Sequence, residues 1–201
     1  AKVLQLRAVE YASKFNMPIR VLSSFNKGEG TLVQEEKNIM ERPIVSGISS
    51  IDTEAKLTIR GVPDIPGVAA KILGPISESG IDVDVIVQNI GADNTTDFTF
   101  TVDKSNFSKA ENILKETSIS LGGGQVETDD NIAKISIVGR GMRANAGVAS
   151  KMFQALANNE INILMITTSE IKISVVIKKE EMEEAIKALH DAFDLDKELD
   201  S

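Results

Sequence analysis

The chain has 201 residues, of which 42% are hydrophobic and 26% charged, so it can bury a core in two small domains or in one larger one. With no cysteine and one histidine, it has no disulfide or thiolate metal site and almost nothing for histidine-based catalysis. A net charge of −8 disfavours nucleic acid and anionic lipid as partners, and no apolar run approaches the roughly 20 residues that span a membrane. We expect a cytoplasmic globular protein that uses no cofactor or metal and binds a small molecule or another protein.

The first part of the chain, residues 1–33, is typical of the closing edge of another domain. Residues 3–12 form an amphipathic helical pattern, and residues 17–22 predict a short strand after a proline. Because the chain does not begin with methionine and this helix is already under way, we expect further sequence upstream. Residues 34–42 are charged and lack strong periodicity, so they are predicted to be a linker.

The rest of the sequence contains an internal repeat. The segment Lys56-Leu57-Thr58-Ile59-Arg60-Gly61 returns as Lys134-Ile135-Ser136-Ile137-Val138-Gly139. In each copy a second glycine then opens a helical pattern, Gly67 in the first and Gly147 in the second. A repeat of this kind indicates one small fold used twice.

Each copy has the pattern strand, helix, strand, strand, helix, and the first copy adds a fourth strand. In the first copy the predicted elements are 55–61, 67–79, 81–89, 95–102, 105–115 and 121–127. In the second they are 135–138, 148–158, 161–168, 171–177 and 180–193. This order is the split βαβ, or ferredoxin-like, arrangement. We therefore predict an α+β protein with two βαββαβ domains, antiparallel sheets and helices on one face of each sheet.

The second copy lacks a fourth strand of its own, because the chain after Phe193 is too acidic for an inner strand. A strand predicted near 44–48 has no sheet, and an unpaired sheet edge is a liability. We predict that this strand completes the second sheet, so that the second domain is discontinuous and the first is inserted into it. The predicted boundaries are 52–130 for the first domain, 43–51 plus 131–195 for the second, and 196–201 for an acidic tail.

The strongest chemical signal is the loop Gly61-Val62-Pro63-Asp64-Ile65-Pro66-Gly67. It joins a strand to the start of a helix, where unpaired N–H groups and the positive end of the helix dipole favour a carboxylate. Pro66 fixes the approach, Gly67 lets a ligand near the backbone, and Asp64 can accept a hydrogen bond from an ammonium. These groups suit a free α-amino acid; the alternative is that Asp64 only caps the helix and Pro66 only starts it.

Two further regions are weaker candidates. Gln88 and Asn89 end the second strand in an apolar context and could orient a polar ligand group, or they could take part in hydrogen bonding between domains. The second copy has a longer, basic loop at 140–147 without the Asp or the Pro, which either binds through other groups or is kept only for structure.

A different class of function remains open at this stage. Phe98 and Phe100 share one face of the third strand, where RNA-recognition domains of this topology place stacking aromatics. With helices on one side of the sheet, that face is more often the core. The net charge of −8 also argues against a pair of domains that binds RNA.

The residues 61–69 (GVPDIPGVA), 86–89 (IVQN), 95–101 (TTDFTFT) and 167–171 (TTSEI) together resemble the tandem ACT domains of bacterial aspartokinases. The resemblance covers essentially the whole chain, and residues 2–25 resemble the end of that enzyme's kinase domain. The nucleotide-binding and aspartate-binding motifs of the family are absent from this chain. The resemblance therefore implies a regulatory region or a separate regulatory β subunit that is not catalytic by itself.

The family resemblance also implies ligands and partners. It implies feedback inhibition by threonine and/or lysine, a homodimer formed by side-by-side pairing of ACT domains, and a partner in the aspartokinase catalytic domain or α subunit. In the family that the chain resembles, effectors lie between the loop after the first strand of one domain and the start of the second strand of its partner. The implied first site comprises Asp64, Pro66, Gly67, Ala69 and Gln88, with Asn162 and Ile163 from the partner strand. The implied second site comprises Met142, Ala144, Asp82, Val83, Ser169 and Glu170.

Overall fold

The computed structural model describes residues 3–34, 45–91, 93–139 and 147–195. The chain divides into two compact units, 1–42 and 43–201. In the described part of the first unit, one helix, α1 (Leu6–Lys14), is followed by an antiparallel pair of short strands, β1 (Ile19–Val21) and β2 (Thr31–Val33). Most of the predicted linker and the acidic tail lie outside the described residues.

The second unit contains two four-stranded antiparallel sheets. It opens with strand β3 (Val45–Ile51). Then come β4 (Glu54–Pro63), α2 (Val68–Glu78), β5 (Val83–Ile90), β6 (Thr95–Asp103), α3 (Phe107–Ser120) and β7 (Gln125–Asp129). The last elements are β8 (Ile132–Gly139), α4 (Val148–Asn158), β9 (Met165–Thr168), β10 (Lys172–Lys178) and α5 (Met182–Ala192).

The strand order is β5-β6-β4-β7 in the first sheet and β3-β8-β10-β9 in the second. Strand β3 lies beside β8, with Ser49 opposite Ser136, although the whole first sheet separates them in sequence. The edge strands are β5 and β7 in one sheet and β3 and β9 in the other. This is the α+β arrangement of two antiparallel sheets that the sequence predicts.

Helix α3 is longer than the sequence predicts, and the following strand is shorter. The helix continues to Ser120 because its last turns carry Leu114, Thr117 and Ser118 into buried positions. Gly122 and Gly123 then adopt positive φ angles of 98° and 90°, which glycine tolerates best. The glycines therefore form a turn, and β7 begins only at Gln125.

Each sheet buries one face under its own two helices. In α2 the buried residues Val68, Ile72 and Ile76 recur every four positions and so share one side of the helix. They pack in the same core as Phe98 and Phe100, which are 1% and 0% exposed. Burial of a large apolar side chain contributes about 1.5 to 3 kcal/mol, and the core interpretation of the two phenylalanines is confirmed.

The opposite faces of the two sheets lie toward each other. Lys134 on β8 bonds to Glu54 on β4 and to Asp84 on β5, which joins the two domains. Ser136 and Ser174, on that same face of the second sheet, are 6% and 1% exposed and hydrogen-bond to each other at 2.7 Å. Within one chain the sheets are therefore stacked face to face and are not joined edge to edge.

Candidate functional site

The loop between β4 and α2 presents an open surface at the start of a helix. Pro66 and Gly67 are exposed, and Gly67 precedes α2 with φ +91°, in the left-handed region that favours glycine. No side chain of the described residues caps this helix. Because residue 67 is a glycine, no side chain covers the first turn of α2 at this position.

Several backbone donors of this first turn have no partner among the described residues. The N–H of Val68 donates to the Ile65 carbonyl at 3.2 Å, whereas the N–H groups of Gly67, Ala69 and Ala70 meet no protein acceptor in the described chain. Unpaired N–H groups at the positive end of a helix dipole attract an anion. The loop can therefore accept a carboxylate.

Asp64 supplies negative charge in the same loop. Its side chain is half-buried and has no hydrogen bond or ion pair within the described part of the chain. The alternative in which Asp64 caps α2 is therefore wrong. Its own backbone N–H donates to the Asn94 carbonyl at 2.9 Å, which ties the loop to the turn between β5 and β6.

A second anchor holds the beginning of the loop. One oxygen of Asp97 accepts a hydrogen bond from the Gly61 N–H at 3.0 Å, and the other accepts from Arg60 Nη1 at 3.0 Å. Arg60 Nε lies 2.9 Å from Glu127, and this hydrogen bond, with the charges of Glu127 and Asp97, raises the pKa of Arg60. The anchor lies at the register shift of β4 between Ile59 and Val62.

Sequence reasoning did not identify Asp97 as part of the site. A signal existed, because Asp97 is an acid within an otherwise neutral strand pattern, and the repeat has Arg60 where the second copy has Val138. In the second copy the corresponding Gly139 N–H donates instead to a backbone carbonyl, that of Ile171, at 2.9 Å. The carboxylate anchor is specific to the first domain.

The structure brings Gln88 to the same end of the sheet as the loop. Gln88 lies opposite Phe98 on β6, and Phe98 lies opposite Ile59 on β4, just before the loop. The Gln88 side chain is exposed on the edge strand β5. Asn89, its neighbour, turns to the other face of the sheet and lines the cleft described below.

Asn162 and Ile163 are placed elsewhere within the single chain. Ile163 lines a cleft on the outer face of the first sheet, which includes no residue of the loop 61–67. Asn162 is exposed just before that segment.

Of the implied second site, the structure describes two residues at the start of β5 and two in the turn before β10. Asp82 and Val83 lie at the start of β5, where Val83 is opposite Val102, at the far end of the sheet from the loop. Ser169 closes the turn before β10 by donating from its N–H to the Lys172 carbonyl at 2.8 Å, and Glu170 is exposed in that turn. Met142 and Ala144 lie outside the described residues.

The cleft has a volume of about 440 Å³ and lies between the two domains. Its floor is the outer face of the first sheet and its opposite wall is the segment 163–166 of the second domain. The side chains that line it are Lys56, Thr58, Arg60, Val87, Asn89, Asp97, Thr99, Ile163, Leu164, Met165 and Ile166.

Neither a metal cluster nor a membrane segment occurs in the part of the chain that the structure describes. No group of three or more His, Cys, Asp or Glu side chains there could hold a metal ion. No described helix is long and apolar enough to cross a membrane.

Comparison with known proteins establishes the family. An ACT-domain model matches residues 57–118, and a second ACT-domain model matches residues 135–193. A crystal structure of aspartokinase alpha and beta subunits contains a chain that is 47% identical, with 75% of this chain and 99% of that chain covered and a TM-score of 0.71. The chain belongs to the aspartokinase family. It is the family's regulatory region, a pair of ACT domains.

Other aspartokinases support this assignment. The regulatory subunit of aspartate kinase from Thermus thermophilus, in its ligand-free form, is 39% identical, with 75% of this chain and 99% of that chain covered and a TM-score of 0.71. The aspartokinase of Pseudomonas aeruginosa is 60% identical over 198 residues, which are 98% of this chain and 48% of the relative. The chain spans about half the length of the curated aspartokinases it matches.

Proposed function

We propose that this chain is an amino-acid-binding module that mediates feedback inhibition of aspartokinase by threonine and/or lysine, in the biosynthesis of the aspartate family of amino acids. The observation that carries the proposal is the loop before α2, where backbone N–H groups and the carboxylate of Asp64 have no partner among the described residues. The chain itself catalyses nothing, and the kinase reaction belongs to the catalytic domain.

The chemistry of the loop matches the two charged ends of an amino acid. The carboxylate of the ligand accepts hydrogen bonds from the first turn of α2, including the N–H of Ala69. Its ammonium donates to Asp64, and charge-assisted hydrogen bonds of this kind are among the strong ones. Pro66 and Gly67 shape the approach, and Gln88 reaches the side chain of the ligand from the edge strand β5.

The complete site requires a second copy of the chain. The exposed edge strands carry large apolar side chains, with Ile86 and Ile90 on β5 48% and 72% exposed and Ile166 on β9 45% exposed. Because the two sheets of one chain are stacked, pairing of β5 with β9 needs two chains. A homodimer paired in this way would place Asn162 and Ile163 of one copy beside Asp64 of the other.

The same pairing defines a second site, which corresponds to the first through the internal repeat. It would join the loop that contains Met142 and Ala144 to the start of β5, at Asp82 and Val83. Ser169 and Glu170 lie in the turn after β9 and would complete it. This site uses different groups from the first, so the two sites can differ in their preference for threonine and lysine.

The kinase domain or α subunit receives the signal. Residues 1–33, with α1 and the pair β1 and β2, are proposed to be the tail of the kinase domain. An effector that binds one arrangement of two ACT domains better than another shifts the equilibrium between them. A coupling of about 1 to 3 kcal/mol is typical of such regulation.

An RNA-binding role is disfavoured by the packing of the sheets. RNA-recognition domains of this topology use the open face of the sheet, and here the open faces of the two sheets lie against each other, with Lys134 and Ser174 buried between them. A gel shift at low salt is expected to show no complex with single-stranded RNA.

Calorimetry tests the proposal. Titration of the chain with threonine and with lysine is expected to give heat of binding, and Asp64→Asn is expected to weaken it at least tenfold, since it removes the charge and keeps the shape. Asp130→Asn, at an exposed acid outside the loop, is the matched control and should bind as the wild type does. Absence of heat with both amino acids, or an unchanged affinity in Asp64→Asn, would contradict the proposal.

A further inference from the structure

The two copies of the repeat carry a lysine at the same position, with different surroundings. Lys56 in KLTIRG corresponds to Lys134 in KISIVG. Both are on the outer face of their sheets, in the space between the two domains. The charged groups around Lys134 therefore provide a reference for the surroundings of Lys56.

Lys134 obtains its counter-charges from the other domain. Its side chain is 4% exposed and its ammonium contacts the carboxylates of Glu54 and Asp84. Although burial opposes the charge, hydrogen bonds to the two carboxylates raise the pKa of Lys134 above its usual value. A buried ammonium is tolerated here because carboxylates of the protein surround it.

The residues that correspond to these two acids in the second copy are apolar. Aligned on the repeated lysine, Glu54 corresponds to Ile132, two positions before Lys134. Aligned on Ile81 and Ile161, which follow the first helices, Asp84 corresponds to Leu164. Lys56 and Leu164 both line the cleft, whereas the corresponding pair, Lys134 and Asp84, forms a salt bridge.

Among the described residues, Lys56 has no counter-charge within ion-pair distance. Its side chain is half-buried, and no carboxylate oxygen of the described residues lies within 4.0 Å of its Nζ. Asp129 is its cross-strand neighbour but does not reach it. Arg60, the other cation of the cleft, is already bonded to Asp97 and Glu127.

We propose that the cleft beside Lys56 is a binding site for a small aliphatic carboxylate, distinct from the loop before α2. The carboxylate of the ligand takes the place at Lys56 that Glu54 and Asp84 take at Lys134. One carboxylate suffices, because Arg60 is already paired with Asp97 and Glu127, and Lys56 is the cation of the cleft that has no carboxylate within ion-pair distance among the described residues.

The rest of the cleft defines the body of the ligand. The wall formed by Leu164, Met165 and Ile166, with Val87 on the floor, is apolar and suits an aliphatic group. The hydroxyls of Thr58 and Thr99 bond to each other at 2.9 Å and so do not demand a ligand partner. A volume of about 440 Å³ accommodates a compound of the size of isovalerate with water to spare.

Methyl NMR of the full 201-residue chain provides the test, with isovalerate as the probe and isovaleramide as its neutral analogue. Isovalerate is expected to shift the methyl signals of Leu164, Met165 and Ile166 in a saturable way, whereas isovaleramide is expected to bind at least about tenfold more weakly. Lys56→Met should weaken isovalerate about tenfold and Lys56→Arg should retain it. Lys187→Met, at an exposed lysine of α5, is the matched control and should bind normally.

Three outcomes would overturn the proposal. The first is equal methyl shifts with isovalerate and isovaleramide, and the second is an unchanged isovalerate affinity in Lys56→Met. The third is that a second chain covers the methyl groups of the cleft, so that isovalerate causes no shift. A dispersed methyl spectrum of Lys56→Met shows that this variant is folded. If Lys56→Met does not fold, loss of isovalerate binding in Lys56→Arg would overturn the proposal. Asp64→Asn should leave isovalerate binding intact, so that failure of this site and failure of the threonine or lysine site are distinguished.

Discussion

The ammonium of Lys134 lies 2.5 Å from the carboxylate of Glu54, which is 80 residues away and belongs to the other ACT domain. Their side chains are 4% and 11% exposed, and the second oxygen of Glu54 is buried without a hydrogen-bond partner among the described residues. Asp84 completes the cluster from the edge of its sheet, where it is half-exposed. This cluster fixes how the two sheet faces meet within one chain.

Removal of the lysine is expected to destabilise the contact between the domains. Lys134→Met leaves Glu54 and Asp84 close together without a cation, and we expect a loss of about 2 to 3 kcal/mol of unfolding free energy, less than for a fully buried cluster because Asp84 reaches solvent. Equilibrium unfolding in urea measures the change. The double variant Glu54→Gln with Lys134→Met should recover part of the loss; a double variant as unstable as the sum of the two single ones would contradict the coupling.

The same cluster predicts a pH dependence. Burial alone would raise the pKa of Asp84, but the hydrogen bond and charge of Lys134 hold it below the ordinary value of 3.8. The pKa of Lys134 is raised above 10.5 by its two carboxylates, against the effect of burial. The lowered pKa of Asp84 contributes stability that is present above pH 3.8 and is lost as the pH falls through the lower pKa of the folded state. The raised pKa of Lys134 contributes stability that is present below pH 10.5 and is lost as the pH rises through the higher pKa of the folded state.

The stability difference between wild type and Lys134→Met is therefore expected to be greatest between these limits. Urea unfolding at pH 7 and at pH 3 should show the difference narrowing at the lower pH. Lys187→Met supplies the baseline for ordinary surface charge effects. A difference that stays constant or widens on acidification would show that Asp84 is not stabilised by Lys134.

The repeat is sufficient to predict the architecture, because the patterns that define each strand and helix are contiguous in the sequence. The segments KLTIRG and KISIVG, each followed by a loop and a helix that begins after glycine, predict two copies of one α+β fold, and the ACT-domain matches confirm this. The loop at Asp64 could be singled out for the same reason, since its residues are contiguous.

The stacking of the sheets could not be predicted in this way. Alternation along β8 shows that Lys134 and Ser136 share the face away from the helices, but a polar pattern does not show whether water or another sheet covers that face. The hydrogen bond of Asp97 to Gly61 joins residues 36 apart on paired strands. It depends on the register between β4 and β6, which a single sequence does not specify at a bulge.

Asp97 is predicted to position the effector loop without touching the effector. Asp97→Ala removes the acceptor of the Gly61 N–H, so the start of the loop is expected to open more often and threonine affinity to fall about fivefold, the effect of one lost hydrogen bond. Hydrogen exchange at the Gly61 amide and calorimetry measure the two effects. Arg60→Met removes the guanidinium but keeps the hydrogen bond from the Gly61 N–H to Asp97, so its effects on hydrogen exchange and on threonine affinity should be smaller. Equal effects of the two variants would contradict the anchoring role.

Gly67 is expected to be needed for its backbone conformation. At φ +91° a residue with a Cβ is strained by about 1 to 2 kcal/mol, and because a Cβ there would meet no heavy atom within 4 Å, this strain is the whole expected cost of Gly67→Ala. The loop relieves the strain by shifting the first turn of α2, which moves the N–H donors of Ala69 and Ala70 and weakens threonine binding. Gly47→Ala, on β3 with no positive φ and open space, is the matched control and should change stability by less than about 0.5 kcal/mol. Urea unfolding and calorimetry on both variants decide the matter, since a Gly67→Ala chain as stable and as tightly bound to threonine as Gly47→Ala would show that the left-handed conformation is not required.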